Sequence, residues 1–467
     1  DFNLYLYEFI IDNLDSKLKK SGVLLGEKKL VYTSFSDSEL LLLYEEYSKI
    51  SPPADFQLLI NELTNRNLEI TLKNSDKNFI DGVITIYVNK GITFNNGVGS
   101  QDIIVGSGFF IDKLGYAVTN YHVIESCVDP EYEGVSKLYI KLNDSKDKIP
   151  AKVIGWDPIM DLALIKVSVI PNFVYSFENV EISVGDRVTA VGSPGGLGST
   201  VTKGNVSATK RRFLELGSVI QIDSAINPGN SGGPLINDDF LVTNIVFAGI
   251  EDFEGVNFAI PVRYLESKLL NLYNGNKIDH VWLGVGLTER KKHLEVIYIK
   301  DRSPGFYAGL QQGDIIESID NFEFNTILDA QDYIYSLEEN QIVELKYTRN
   351  SENYVVKMSL SKRPNEVIPT LIDSDSKDNL YRPLFGMDIE FTGRILWDKE
   401  YLVNDVYPGT IADELELQTG DIIKIKDWEY NENFEVVTLL FSIQSKNEGF
   451  WEKSIQISAP ISTNLFI

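Results

Sequence analysis

The sequence predicts a multidomain, mainly β protein with a small helical domain at its N-terminal end and a duplicated unit at its C-terminal end. Three observations carry this. At 467 residues the chain is too long for one hydrophobic core. From about residue 80, short β-branched runs such as Val83-Ile84-Thr85-Ile86-Tyr87-Val88 recur between glycines, which is the spacing of an all-β domain. Finally, Gly313-Asp314-Ile315-Ile316 returns as Gly420-Asp421-Ile422-Ile423.

Taken in order, Leu6, Phe9, Ile10, Leu14 and Leu18 recur at helical spacing. Ser36 and Glu39 form a capping-box pattern ahead of Leu40-Leu41-Leu42-Leu43-Tyr44, which Ser51-Pro52-Pro53 stops, and Phe56 to Leu63 reads as a further amphipathic stretch. Residues 1–76 are therefore expected to form a helical domain, serving either as a cap or spacer or as a binding unit. The β-rich domain is expected over 77–275, closing on a helix that begins near Val262. The repeat divides the remainder into 276–364 and 365–467, with the polar, proline-containing Lys362 to Asp378 as the linker between them.

The chemistry is concentrated in the second domain. Gly229-Asn230-Ser231-Gly232-Gly233-Pro234-Leu235 holds a serine between glycines, and upstream lie Thr119-Asn120-Tyr121-His122-Val123 and Asp161-Leu162-Ala163. A serine hydroxyl is a poor nucleophile until a base takes its proton. His122 fits that base, and Asp161 fits the carboxylate that holds the imidazole in one tautomer and stabilises its cation. The main-chain N–H groups of the Gly229-Asn230-Ser231 turn are expected to face the oxyanion of the tetrahedral intermediate. The order His, Asp, Ser is that of a chymotrypsin-like double β-barrel. In that fold the residue six positions before the nucleophile lies at the base of the S1 pocket. Here it is Ala225, beside Ile226, so cleavage is expected after small or medium apolar residues rather than after Lys or Arg, with weak discrimination. The strand Ile245-Val246-Phe247 is expected to offer main-chain hydrogen bonds to an extended substrate.

These residues, together with Gly106-Ser107-Gly108-Phe109, Val191-Gly192-Ser193-Pro194-Gly195-Gly196-Leu197-Gly198 and Phe258-Ala259-Ile260-Pro261, resemble the HtrA (DegP/DegQ) family of trypsin-fold proteases from about residue 77 onward. The resemblance implies an ATP-independent endopeptidase acting in protein quality control and the stress response on unfolded or damaged proteins, with chaperone activity alongside. The alternative reading is a protease-inactive chaperone or peptide-binding scaffold. The C-terminal repeat resembles two PDZ domains (α+β). Trp282-Leu283-Gly284-Val285 is the expected carboxylate loop of the first and Leu384-Phe385-Gly386-Met387 that of the second, with C-terminal peptides as ligands of the first. Ile327, Ala330, Ile334 and Leu337 form a helical face that either walls the first groove or fills its core. Asp413-Glu414-Leu415 stands where the first repeat has Ala308-Gly309-Leu310, so comparable binding by the second is not expected. The resemblance also implies a regulatory loop around Lys210-Arg211-Arg212, with Arg211 at the sensing position, and a homotrimer or larger assembly of trimers through Phe79 and Ile80. The N-terminal helical domain is a departure from the family pattern.

Composition narrows the partners. With 43 Lys and Arg against 68 Asp and Glu, the net charge is −25, which argues against nucleic acid or an anionic membrane. A single cysteine, Cys127, gives no intrachain disulfide, and burial is expected for it rather than a nucleophilic role. No Cys/His cluster points to a metal, and no cofactor motif is present. His280 and His293, the other two histidines, are expected at the surface. No run of about eighteen apolar residues appears, and the sequence begins at Asp1, so a leader or anchor is not legible. The resemblance favours an extracytoplasmic, periplasm-like location.

Overall fold

The computed structural model describes residues 79–467 apart from short stretches, the longest being 250–254, 432–435, 445–451 and 461–465. The helical patterns expected over 1–76 lie outside the described residues.

After a 3₁₀ turn at Phe79–Gly82, six strands close the first barrel: β1 (Val83–Asn95), β2 (Val98–Phe110), β3 (Tyr116–Thr119), β4 (Lys137–Leu142), β5 (Ile149–Asp157) and β6 (Leu162–Val167). Their order is β5-β4-β1-β2-β3-β6, with β6 pairing back to β5. Ile84, Ile86, Val88, Ala117, Ile140, Ala163 and Ile165 fill the interior. Alternation along β1 puts Ile84, Ile86 and Val88 on one face. Six more strands form the second closed barrel: β7 (Arg187–Gly192), β8 (Thr200–Arg212), β9 (Ser218–Ile222), β10 (Pro234–Ile236), β11 (Val242–Gly249) and β12 (Asn257–Pro261). A further apolar cluster, including Phe109, Leu162, Leu164, Ile245 and Ile260, draws residues from both barrels. The helix that begins at Val262 is α2 (Val262–Asn274), which buries Tyr264, Leu265 and Leu272. A four-residue helix, α1 (Tyr121–Ile124), follows β3.

Beyond β13 (Asn276–Lys277), which pairs with β5, come β14 (Val281–Trp282), β15 (Val285–Arg290), β16 (His293–Ile299), α3 (Pro304–Tyr307), β17 (Ile315–Ile319), β18 (Phe322–Glu323), α4 (Ile327–Tyr335), β19 (Ile342–Arg349), β20 (Glu352–Ser359) and β21 (Ser361–Lys362). The helical face expected on α4 is buried: Ile327, Ala330 and Ile334, with Leu337 just beyond, join Leu283 and Val285 in one cluster. The last unit contains α5 (Val367–Ser374), α6 (Lys377–Phe385), β22 (Met387–Ile395), β23 (Asp398–Val406), α7 (Ile411–Glu414), β24 (Ile422–Asn431), β25 (Val436–Gln444) and β26 (Glu452–Pro460).

The repeat is reproduced bond for bond at a constant offset. Val296 N–H donates to Asp314 O at 2.8 Å, and Val403 N–H to Asp421 O at 2.9 Å. Gln311 N–H reaches the Asp314 carboxylate at 2.7 Å, and Gln418 N–H the Asp421 carboxylate at 2.9 Å. The copies diverge elsewhere. Where α4 stands in the first unit, β24 pairs directly with β25 in the second.

The stretch Lys362 to Asp378, expected as a polar linker, is largely helical. Val367 and Leu371, one helical turn apart, are buried with Leu380, Tyr381 and Phe385 against the final sheet, and that apolar stripe outweighs the surrounding charges.

Candidate active site

The candidate site draws His122 and Asp161 from the first barrel and Ser231 from the loop ahead of β10 in the second. The Asp161 carboxylate meets His122 twice: Oδ1 accepts the main-chain N–H of His122 at 2.9 Å and Oδ2 lies 2.8 Å from Nδ1. Asp161 has φ 49°, the left-handed region that is uncommon for a residue with a side chain. Asn120 holds it there by donating its side-chain amide to the Asp161 carbonyl at 2.8 Å. Burial alone would push the His122 imidazole down, but the hydrogen bond and charge of Asp161, together with Glu125, place its pKa above the ordinary histidine value.

The serine loop is shaped by its glycines. Gly232 has φ +85°, and a Cβ there would sit 2.2 Å from the Ser107 carbonyl oxygen. Gly195 N–H donates to the Pro228 carbonyl at 3.1 Å. The two ends of a trans peptide plane point in opposite directions, so the N–H of Gly229 is turned away from Gly195. Among the described residues no backbone acceptor takes the N–H of Gly229 or of Ser231. Asn230 does not join them, because its N–H closes a turn on Asn227 O at 3.0 Å.

The Ser231 hydroxyl donates to the Phe247 carbonyl at 3.0 Å, and no hydrogen bond joins it to His122. The strand Ile245-Val246-Phe247 is thus partly committed to the serine loop. Val246 donates to Gly233 O at 2.9 Å and accepts from Gly232 N–H at 2.8 Å. Of the residues expected in the S1 pocket, Ala225 is exposed and Ile226 is half-buried against the second barrel's core. Phe213, Phe247 and Phe258 form an aromatic group nearby in the fold, with Phe213 5.0 Å from Phe247 and 5.1 Å from Phe258.

One residue quoted for the family resemblance, but given no role in the site from the sequence, ties these parts together. Ser107 is fully buried. Its hydroxyl donates to Gly229 O at 2.5 Å and accepts from Ser193 N–H at 2.8 Å. Its N–H donates to Ser231 O at 2.8 Å, and its carbonyl accepts from the Thr119 hydroxyl at 2.7 Å, just ahead of His122. A small polar residue between two glycines was the available signal.

Lys210-Arg211-Arg212, expected as a loop, ends strand β8, where Arg211 and Arg212 pair with Val219 and Ser218 of β9. Arg211 itself turns back to Gln221 at 3.2 Å. Its neighbour Lys210 reaches Asp329 at 3.2 Å, and Ser218 N–H donates to Tyr264 Oη at 2.9 Å and to Asp332 at 3.2 Å. Asp332 also holds Arg263 at 3.1 Å and the Tyr264 hydroxyl.

Other expectations change. His280 is not a surface residue: it is buried with Asp157, Nε2 lying 2.9 and 2.8 Å from the two carboxylate oxygens. His293 is exposed. Cys127 is half-buried, and burial pushes its thiol up to about 11, so it stays protonated near neutral pH. Phe79 packs within the chain, its ring 5.2 Å from that of Phe240. In the last unit, Leu384 and Phe385 end α6, and Gly386 N–H is spent capping that helix on Arg382 O at 3.0 Å. The Leu384-Phe385-Gly386-Met387 segment therefore lacks the free glycine N–H that a carboxylate loop needs.

A trypsin-like peptidase domain model matches residues 106–243, a PDZ domain model 281–360, and a TP0546 family PDZ domain model 368–461. A probable periplasmic serine endoprotease, DegP-like, from Marinomonas sp. (strain MWYL1) is 33% identical over 345 residues, which is 68% of this chain and 70% of that protein. The chain belongs to the DegP-like, HtrA-type family of serine endoproteases. A DegP-like relative from Chlamydia pneumoniae is 33% identical over 287 residues, or 57% of each chain. Among solved structures, the HtrA-type protease AlgW with tripeptide is 26% identical with a TM-score of 0.53, covering 62% of this chain and 95% of that one. AlgW with decapeptide is 25% identical with a TM-score of 0.52, covering 62% and 97%. This HtrA-type chain has the two closed barrels of the trypsin fold and two PDZ domains, PDZ1 from about β14 to β21 and PDZ2 beyond it. Among the described residues no helix is long and apolar enough to cross a membrane.

Proposed function

We propose that this protein hydrolyses peptide bonds in unfolded or damaged proteins without ATP, with Ser231 as nucleophile, His122 as general base and Asp161 as its orienting carboxylate. The observation that carries the reading is the double hold of Asp161 on His122, through the main chain and through Nδ1. It presents the opposite ring nitrogen as the proton acceptor. Gly229 and Ser231 supply the oxyanion donors; the orientation of the Pro228–Gly229 peptide supports this. Ala225 and Ile226 give the S1 pocket a preference for small or medium apolar side chains. PDZ1 takes C-terminal peptides, recruiting substrates or adjusting activity. The relatives' periplasmic names support an extracytoplasmic location, and family kinship supports a trimeric assembly.

The hydrogen bond from Ser231 to Phe247 favours a second reading, in which the site rests idle and the chain acts as a chaperone or scaffold. One assay separates the two. Wild type is expected to degrade an unfolded protein such as reduced casein, with PDZ-binding peptide present, while Ser231→Ala does not. Equal cleavage by both, or none by wild type, overturns the proteolytic reading.

A further inference from the structure

The PDZ1 groove is filled, and its occupant is the Phe466–Ile467 segment of the same chain. The main-chain oxygen of Ile467 accepts hydrogen bonds from three successive N–H groups, those of Leu283 at 3.0 Å, Gly284 at 2.9 Å and Val285 at 3.3 Å. Gly284, at φ +74°, makes the turn that converges them, and a Cβ there would meet Ser303 at 2.3 Å. Converging N–H groups of this kind form an anion-binding concavity. Ile467 N–H returns a bond to Val285 O at 3.0 Å, and Phe466 bridges Gly286 in antiparallel register. The pair therefore extends the β15 edge as an added strand, the mode by which PDZ domains take peptides.

The side chains complete the fit. Ile467 is 3% exposed and shares the apolar cluster of Leu283, Val285, Ile327, Ala330 and Ile334. Phe466 is 2% exposed, its ring edge-on to Tyr298 at 5.7 Å. It lies over Gly286, where a Cβ would come within 3.4 Å of the ring. We propose that Phe466–Ile467 is a built-in ligand of PDZ1, so that a substrate or regulatory peptide ending in an apolar residue binds only by displacing it.

This rests on reading Trp282-Leu283-Gly284-Val285 as a peptide-end loop, and a binding experiment tests it independently of proteolysis. A tethered segment competes at an effective concentration that reaches the millimolar range for short flexible tethers. The apparent Kd of an outside peptide rises in inverse proportion to the fraction of chains with a free groove. The probe is a fluorescein-labelled peptide of residues 458–467, followed by anisotropy with the 467-residue chain, with the same chain lacking Phe466–Ile467, and with Ile467→Asp, which drives a charge against the apolar wall.

Both variants are expected to bind the probe on the order of 10- to 100-fold more tightly than the intact chain. Equal affinity for all three chains overturns self-occupancy while leaving the groove a peptide site. Binding by none of them overturns the groove reading as well. Circular dichroism shows whether the variants fold. Should they not, hydrogen exchange on the intact chain decides: without added peptide, the Leu283, Gly284 and Val285 amides are expected to be protected, and exchange at the rate of an open loop overturns the proposal.

Discussion

The Ser107 hydroxyl donates to the carbonyl of Gly229 at 2.5 Å, across 122 residues of sequence. Because Ser107 also donates its N–H to Ser231 O and accepts from the Ser193 N–H, one buried side chain and its peptide fix both ends of the serine turn. Replacing Ser107 by Ala leaves the Gly229 carbonyl without its partner. A lost buried hydrogen bond of this kind costs about 1–3 kcal/mol. The expected outcome for Ser107→Ala is a kcat reduced roughly 10- to 100-fold at little changed KM, measured on a chromogenic peptide. A rise in KM alone would assign Ser107 to substrate binding instead.

The pH dependence follows from His122. Its pKa is raised, so the folded state favours the imidazolium. The resulting stabilisation is fully present below the unfolded pKa and is lost as pH rises through the folded one. The proposed general-base role needs the neutral ring and therefore runs the other way, with activity expected to fall as pH drops through the raised value. The acidic limb of kcat/KM is expected above the ordinary histidine pKa of about 6.5. In Asp161→Asn the limb moves down and kcat falls by about 10⁴. A pH–rate profile of both proteins checks this, and an unmoved limb in Asp161→Asn would separate Asp161 from the titration.

His280 offers a stability test away from the chemistry. Its ring and the Asp157 carboxylate are both fully buried, and Asp157 also accepts the N–H groups of Ile159 and Met160, immediately ahead of Asp161. His280→Ala removes that carboxylate's side-chain partner and leaves it only the two main-chain N–H groups, and breaking such a buried pair costs about 3–5 kcal/mol. Denaturant unfolding is expected to show a loss of this size. A loss below about 1 kcal/mol would mean that water or a neighbour replaces the ring.

The proposed active residues stood out because their chemistry admits few residue types: His122, Asp161 and Ser231 are picked out by identity, order and local pattern. The barrels were legible from β-branched runs punctuated by glycine, as in β1 and β2. What escaped depends on contacts between distant segments. Ser107 stood out only as part of the Gly106-Ser107-Gly108-Phe109 motif, and its partners lie 12, 86, 122 and 124 positions away. His280 reads as polar, and only the facing Asp157 makes its burial tolerable. The charges of Asp373, Asp375, Lys377 and Asp378 hide the apolar stripe of α5 and α6. In PDZ2 the altered Asp413-Glu414-Leu415 was visible in the sequence, but not the helix whose end takes up Gly386 N–H.

The division of Phe466 and Ile467 between two cores has a mechanical consequence. Ile467 is counted among the PDZ1 core residues, and Phe466 among those of PDZ2. Two adjacent residues thus act as a seam stitched through both domains. Pulling the last stitch opens a place in each, so a peptide that evicts Ile467 also unfastens Phe466 from Tyr298, whose hydroxyl is anchored on Asp375 in the next domain at 2.8 Å. Capture of a ligand by one PDZ domain is then felt by its neighbour as a loosened join.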